Sequence, residues 1–393
     1  SVPSPHRLEF FPSGLSSWIA GTRAGGPKRS PPGGAKHAKM SFSRRQFLRA
    51  SLLLPLASQL ALASRQKLLP VQVSPERVTR RLVGLRPYRP AGFRVQAERL
   101  DGKTVVHNYG HGGAGITLSW GTSQLAVDLA WQSEVKDYAV LGCGCVGLAT
   151  ARLLQQRGAR VTIYAKDLPP HTTSNIAGGQ WSPASLSEAA RRTPEWNELF
   201  RQASQISNRA YQDLVGEEYG VSWMDNYELT KDKPIQRNLF AQARDSLVFS
   251  PQNSPFPGLH ARRYTTLMVQ PAHYLRRLME DVMRFGGAIE VRNLPDRNAV
   301  TDLPEEILIN CTGLGSRELF GDGELIPIKG QLSVLLPQPE IDYAYLYDGY
   351  YMFPRKDGII LGGSHLRGEE SLDFDSAQEE QILARHQEVA RLL

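Results

Sequence analysis

Cysteine is scarce in this 393-residue chain, with three in all: Cys143, Cys145 and Cys311. An odd count, with two of the three inside one glycine-rich loop, excludes a disulfide framework. Metal binding is not expected either, because no Cys or His group has a zinc spacing. His107 and His111 are four apart, but Gly110, Gly112 and Gly113 break the helix that would put them on one face. Long apolar runs are missing too. The stretch Ala50 to Leu62 is interrupted by Pro55 and Gln59 and falls short of the ~20 residues of a bilayer span, so no stable membrane span is expected. Beyond residue 63 a basic excess is also absent. The formal charge of +7 belongs to residues 1–63, with nine Lys+Arg and one acid (Glu9), which leaves 37 basic against 38 acidic residues in the rest. That balance excludes a phosphate-neutralising surface, and with it nucleic acid as a partner.

What is present first is an export leader. Ser43-Arg44-Arg45-Gln46-Phe47-Leu48-Arg49 precedes the apolar stretch, which ends in the small-x-small pattern Ala61-Leu62-Ala63. Residues 40–63 read as a twin-arginine signal peptide, with Met40 as the initiator and the Pro/Gly/Ser-rich residues 1–39 disordered outside the fold. The expected location is periplasmic or otherwise extracytoplasmic in a bacterium, and the twin-arginine translocation machinery is the expected partner. Residues 64–393 then form one unit.

Two glycine-rich loops dominate that unit. Gly142-Cys-Gly144-Cys-Val146-Gly147 follows an apolar strand (Tyr138-Ala-Val-Leu) and opens an amphipathic helix, Val146 to Gln156. This is a dinucleotide fingerprint: its glycines permit the turn and bring N–H groups to a pyrophosphate at a positive helix end. The second loop, His107 to Thr117, comes earlier in the chain and opens a helix over Thr117–Ala130. Residues 65–80 read as a linker into a short segment ending at Leu82-Val83-Gly84. Strands are expected at 94–98 and 104–107 around Asp101-Gly102. Further strands are expected at 221–230, 263–269, 289–292, 307–310, 331–336, 350–353 and 358–361, and helices at 195–218, 271–285 and 378–393.

These motifs resemble the D-amino-acid oxidase family of flavoproteins, with Gly84-Leu-Arg86-Pro-Tyr-Arg-Pro90 and the His111–Thr117 loop matching its C-terminal signature. In the family that signature comes last, so the resemblance implies a circularly permuted member, joined through residues 131–137. The implied fold class is α/β: a Rossmann-type FAD-binding domain (βαβ with GxGxxG) plus a mixed β-sheet substrate domain. The FAD lobe is placed at 137–187 and 289–316, the substrate lobe at 195–288 and 326–375, and the displaced C-terminal segment at 78–131.

The resemblance implies FAD as cofactor, held by Gly142, Gly144, Val146 and Gly147, and by Lys166 and Asp167 at the end of the next strand. It adds Thr172, Thr173, Ser174, Gly178, Gly179 and Gln180 from a second segment, Thr312 from Asn310-Cys-Thr-Gly313, and Gly112, Gly113, Ala114, Gly115, Ile116 and Thr117 at the flavin ring. Substrate-site roles fall to Arg86 and Tyr351 for the carboxylate, Tyr347 as pocket liner or cover, and the Gly113 carbonyl for the amine. The implied reaction is oxidation of a D-amino acid to an imino acid, then to a 2-oxo acid and ammonia, with O2 or another acceptor reoxidising the flavin and H2O2 formed from O2. Related flavin enzymes acting on glycine, sarcosine or D-aspartate stay open, as does a non-catalytic exported flavoprotein.

Overall fold

The computed structural model describes residues 67–232 and 244–393. The expected leader at 40–63 and residues 1–39 lie outside the described residues. In chain order the elements begin with β1 (Val78–Tyr88), β2 (Arg94–Leu100), β3 (Lys103–Tyr109), α1 (Gly115–Ala130), β4 (Asp137–Leu141), α2 (Cys145–Gln156) and β5 (Arg160–Ala165). They continue with α3 (Pro194–Asp213), β6 (Val221–Thr230), β7 (Arg244–Phe249), β8 (His260–Val269), α4 (Pro271–Arg284), β9 (Ala288–Val291), α5 (Arg297–Thr301) and β10 (Ile307–Asn310). The last group is α6 (Ser316–Phe320), β11 (Ile326–Leu335), β12 (Tyr343–Tyr347), β13 (Tyr350–Arg355), β14 (Gly358–Gly362), β15 (Leu366–Arg367) and α7 (Ser376–Ala390).

Two sheets organise them. The nucleotide-type sheet runs β2-β3-β10-β4-β5-β9, and the other runs β1-β11-β14-β13-β12-β6-β8-β7 with β15 beside β11. In the first sheet, β3, β10, β4, β5 and β9 are mutually parallel and β2 is antiparallel. β10 is buried at every residue, which is why Ile307-Leu-Ile reads as a continuous apolar run rather than an alternation. Asp101 and Gly102 close β2 to β3 with φ of 46° and 85°, the pair of positive angles a two-residue hairpin needs. Thr193 caps α3 by accepting from the Trp196 N–H at 3.1 Å, and Asp375 caps α7 by accepting from Gln378.

Three expectations need correction. Residues 78–88 are a strand of eleven residues rather than a linker and short segment. Pro87 sits in it without cost: it lies opposite Pro327 of β11, and beyond β11, β1 is bridged only at Tyr88, to His111, among the described residues. Before it, Leu68 and Val71 are buried in the core with Ile382, Leu383 and Val389 of α7. The segment 78–131 does not stay together: β1 joins the large mixed sheet, while β2, β3 and α1 join the parallel one. Nor do α3 and α4 belong to a separate substrate lobe, since they pack on α1 and α2 through Ala203, Tyr211, Tyr274 and Leu275.

Candidate active site

Parallel pairing brings the carboxyl ends of β3, β10, β4 and β5 to one edge of the sheet. The chain leaves β4 toward β5 on one side while β10 lies on the other, so the crevice beyond β4 is a topological switch point, the usual ligand position in open α/β sheets. The fingerprint loop fills this place. Gly142 has φ +101°, and a Cβ there would stand 2.7 Å from the Cys311 carbonyl oxygen; at Gly147 it would stand 2.0 Å from the Gly142 oxygen. Neither position admits a side chain.

α2 begins with no side-chain cap and no acid in its first turn. Its first intrahelical bond runs from Leu148 N–H to the Gly144 carbonyl at 3.0 Å, so Val146 and Gly147 N–H precede the ladder. α1 starts in the same way, uncapped and without an acid, and a Cβ on Gly115 would be 3.6 Å from Cys145 Sγ. Two uncompensated positive helix ends therefore lie side by side. Burial pushes the thiol of Cys145 up to about 11 and those of Cys143 and Cys311 up to about 12, so all three are free, neutral packing groups here.

The second flavin segment lies against the same helix start. Ser174 Oγ accepts from Cys145 N–H at 3.0 Å. Thr172 donates to Asn175 Oδ1 at 2.8 Å, which leaves the buried Asn175 Nδ2 with no partner. Gly179 (φ +98°) turns against the Val269 carbonyl, and Gly178 faces Phe353 and Tyr351. Thr173 is exposed, as are Lys166 and Asp167 at the end of β5. Gln180 and Thr312 have side chains engaged within the protein. Gln180 Nε2 donates to Asn226 Oδ1 at 2.7 Å, and the Thr312 hydroxyl donates to Asn310 Oδ1 at 2.7 Å.

Just before α1, Gly112 (φ +54°) and Gly113 lie under Ser185 and Ala184, where a Cβ would meet carbonyl oxygens at 2.0 Å and 2.8 Å. Thr117 Oγ1 donates to the Ser182 carbonyl and accepts from its N–H, and Ile116 is core, so these residues and Ala114 shape the loop rather than offer free side-chain groups. His111 is buried, donor or acceptor to Thr122 Oγ1 at 2.9 Å, and burial pushes it down to about 3, so it is neutral. The acid-free helix starts, with Val146 and Gly147 N–H outside the α2 ladder, the excluded Cβ positions and the orphaned Asn175 amide fit FAD: a pyrophosphate at α2 and ring oxygens at α1.

Strand β1 passes across all three loops, with Gly84 beside Ile176, Pro87 beside Gly313 and Tyr88 beside Gly112. Arg86 projects from the face that meets the flavin segment. Its guanidinium lies over Gly330, where a Cβ would be 2.5–2.7 Å from it, and its hydrogen bond is to the Ser364 carbonyl at 3.4 Å. No acid pairs with it among the described residues, although most arginines there have one. Tyr351 lies on the same face across Gly362, stacked on Phe353 at 4.8 Å, and its hydroxyl takes no partner among the described residues. Since Gly330 and Leu332 share that face and Leu332 pairs with Gly362, Arg86 and Tyr351 stand on one face of the sheet.

Tyr347 is not on that face. It is buried on the opposite face with Tyr343 and Tyr345, and Arg385 of α7 lies 5.5 Å over its ring. The cause is the two-residue turn Asp348-Gly349 (φ 51° and 81°), which pairs Tyr347 with Tyr350 and so puts it on Tyr350's face rather than Tyr351's. Sequence reading missed His365 and Ser185. His365 is exposed next to Arg86's carbonyl anchor, with Nδ1 3.5 Å from Ser185 Oγ; desolvation, then the charges of Arg86 and Arg367, hold its pKa below the usual histidine value. Only its place two residues after the strand's glycine pair could have drawn notice.

Comparison with known proteins agrees with this architecture. The chain is 29% identical over 256 residues to D-amino-acid oxidase of Dictyostelium discoideum, covering 63% of this chain and 70% of that protein. It is 30% identical over 244 residues to D-amino-acid oxidase of Streptomyces coelicolor (58% and 69%), and 28% identical over 258 residues to human D-aspartate oxidase (63% and 74%). In fold it resembles iminodiacetate oxidase from Chelativorans, with TM-score 0.51, 17% identity, and 65% of this chain and 79% of that one covered. Glycine oxidase from Geobacillus kaustophilus gives TM-score 0.50, 16% identity, 64% and 77%. The family described as FAD dependent oxidoreductase (DAO) matches residues 47–129 and 137–391, so the chain belongs to it and is an FAD-dependent oxidoreductase.

Proposed function

We propose that this enzyme oxidises a D-amino acid to its imino acid, which water hydrolyses to a 2-oxo acid and ammonia. The observation that carries the reading is Arg86, a half-buried guanidinium with no acid partner among the described residues, on the same sheet face as a tyrosine hydroxyl with none. A substrate carboxylate supplies the missing counter-charge: two parallel bonds from Arg86 and one from Tyr351 fix which Cα–H faces the ring. Bound FAD supplies the hydride acceptor and passes the electrons on to O2, giving H2O2, or to another acceptor. The protein's part is orientation and exclusion of water, and in this reading the Gly113 carbonyl accepts from the amine.

The permuted order belongs to this proposal. The split of the family match on either side of residues 130–136 supports it, as does the packing of Leu68 and Val71 with Val389 and Leu393, with Gln387 Nε2 donating to the Val73 carbonyl at 3.2 Å. These contacts keep short the path that an unpermuted chain would follow. Export by the twin-arginine route, read from Arg44 and Arg45, is part of the same proposal.

A second reading, an acidic D-amino acid, is favoured by His365, a further basic group beside Arg86. Anaerobic mixing of the yellow protein with D- and L-amino acids tests both. Bleaching by D-isomers alone is expected, and its absence with every D-amino acid overturns the reading. Preference for D-aspartate over D-alanine selects the second form.

A further inference from the structure

Tyr350 and Tyr351 straddle β13, and each lies across one of two consecutive glycines. Tyr351 covers Gly362 on the flavin side, and Tyr350 covers Gly363 on the α7 side, where a Cβ would come within 2.3 Å of its ring. This seat has no side chains of its own, so its shape rests on what holds the backbone. From behind, α7 delivers His386, which is fully buried. Its Nδ1 is 2.7 Å from Tyr345 Oη and its Nε2 is 3.3 Å from the Gly362 carbonyl oxygen. A carbonyl can only accept, so Nε2 carries the proton and Nδ1 accepts from the tyrosine hydroxyl. Tyr345 lies opposite Met352, the residue after Tyr351. Rings of Tyr345 and Tyr350 close around the imidazole at 5.6 Å and 6.0 Å.

We infer that His386 is a positioning residue for the substrate site: it fixes the Gly362 peptide, and through it the Tyr351 hydroxyl, from the far side of the sheet. It touches neither substrate nor flavin. One imidazole ties α7 to both β12 and β14, and these strands flank β13. A purely space-filling residue would leave both the Gly362 carbonyl and the Tyr345 hydroxyl without this bond. The inference rests on the reading that Tyr351 meets the substrate carboxylate.

Benzoate, an unreactive monocarboxylate, serves as the probe, read by its perturbation of the flavin absorbance in the full-length holoenzyme. H386L and H386N, which cannot reach the Gly362 carbonyl as donors, are expected to weaken benzoate binding about fivefold, the scale of one lost neutral hydrogen bond. H386Q, whose amide N–H can reach it, is expected to stay within about twofold of the parent, well under the cost of one hydrogen bond. FAD affinity should not change in any of them. In a Y351F background, H386N should add nothing further, because the effect is transmitted through that hydroxyl. Wild-type benzoate affinity in H386N overturns the inference, as does a full additional loss in H386N/Y351F. If H386L fails to fold, the H386N and H386Q pair carries the test. Unchanged benzoate binding in Y351F alone instead overturns the substrate-site reading, which keeps the two failures distinct.

Discussion

Replacing Arg86 by alanine tests the central functional assignment. The guanidinium is half-buried over Gly330 and makes one long hydrogen bond, to the Ser364 carbonyl at 3.4 Å. Its removal leaves no buried acid unpaired, so the folded state loses little and the thermal midpoint should hold. The cost falls on the substrate carboxylate. Truncating one partner of a buried charge pair costs ~2–5 kcal/mol, and the solvent access of Arg86 argues for the lower part of that range. A loss of ~2–3 kcal/mol is a rise of about 30- to 150-fold in the substrate concentration giving half-maximal bleaching. Stopped-flow anaerobic reduction at increasing D-amino acid measures it directly, with FAD content checked by absorbance. The fingerprint and α1 loops are untouched, so flavin should remain bound. A shift of less than about fivefold, under the ~1.4 kcal/mol of a tenfold change, would mean that another group holds the carboxylate.

Gly147→Ala should abolish FAD retention on gel filtration, because its Cβ would collide with the Gly142 carbonyl at 2.0 Å within the turn itself. Tyr347→Phe should leave the substrate KM within about twofold, less than one lost hydrogen bond, because the ring packs under Arg385 away from the pocket. If acidic substrates are used, KM for D-aspartate should be lowest while His365 is protonated and rise as pH climbs through its depressed pKa, below 6.5, while KM for D-alanine stays flat; a flat D-aspartate profile refutes the role. Joining residue 393 to residue 67 by a short flexible linker and opening the chain at 133–134 should give a protein that still binds FAD, whereas a soluble but flavin-free product would refute the permuted reading.

Much of this was legible because glycine and apolar runs have few alternatives. Ile307-Leu-Ile-Asn310 is a strand over the residues its composition predicts, and the loop after Leu141 has the turn its glycines require. β1 was harder to read: Thr79-Arg80-Arg81 and Pro87 obscure the alternation, and the strand is set by pairing with β11 across some 250 residues of sequence. Tyr347 misled for a geometric reason. Residues four apart share a helix face, but across a two-residue hairpin the partner on the same face is three residues on. The buried pair Asn310 and His107, joined by a hydrogen bond, could not be foreseen, because the two come from separate strands.

The place of β10 in the parallel sheet also sets a timetable for biosynthesis. β3 and β4 are neighbours only through β10, and His107 waits for Asn310, its hydrogen-bond partner 203 residues later. At ~5–20 residues per second, a ribosome needs roughly 10–40 s to supply that strand after β3 has been made. Until then α1 and α2 can pack on each other, but the sheet beneath the glycine loops lacks its middle strand, and the Cys311 carbonyl that Gly142 turns against does not yet exist. Flavin capture is therefore a late event, close to chain completion, and a nascent chain stalled before residue 307 cannot be rescued by added cofactor.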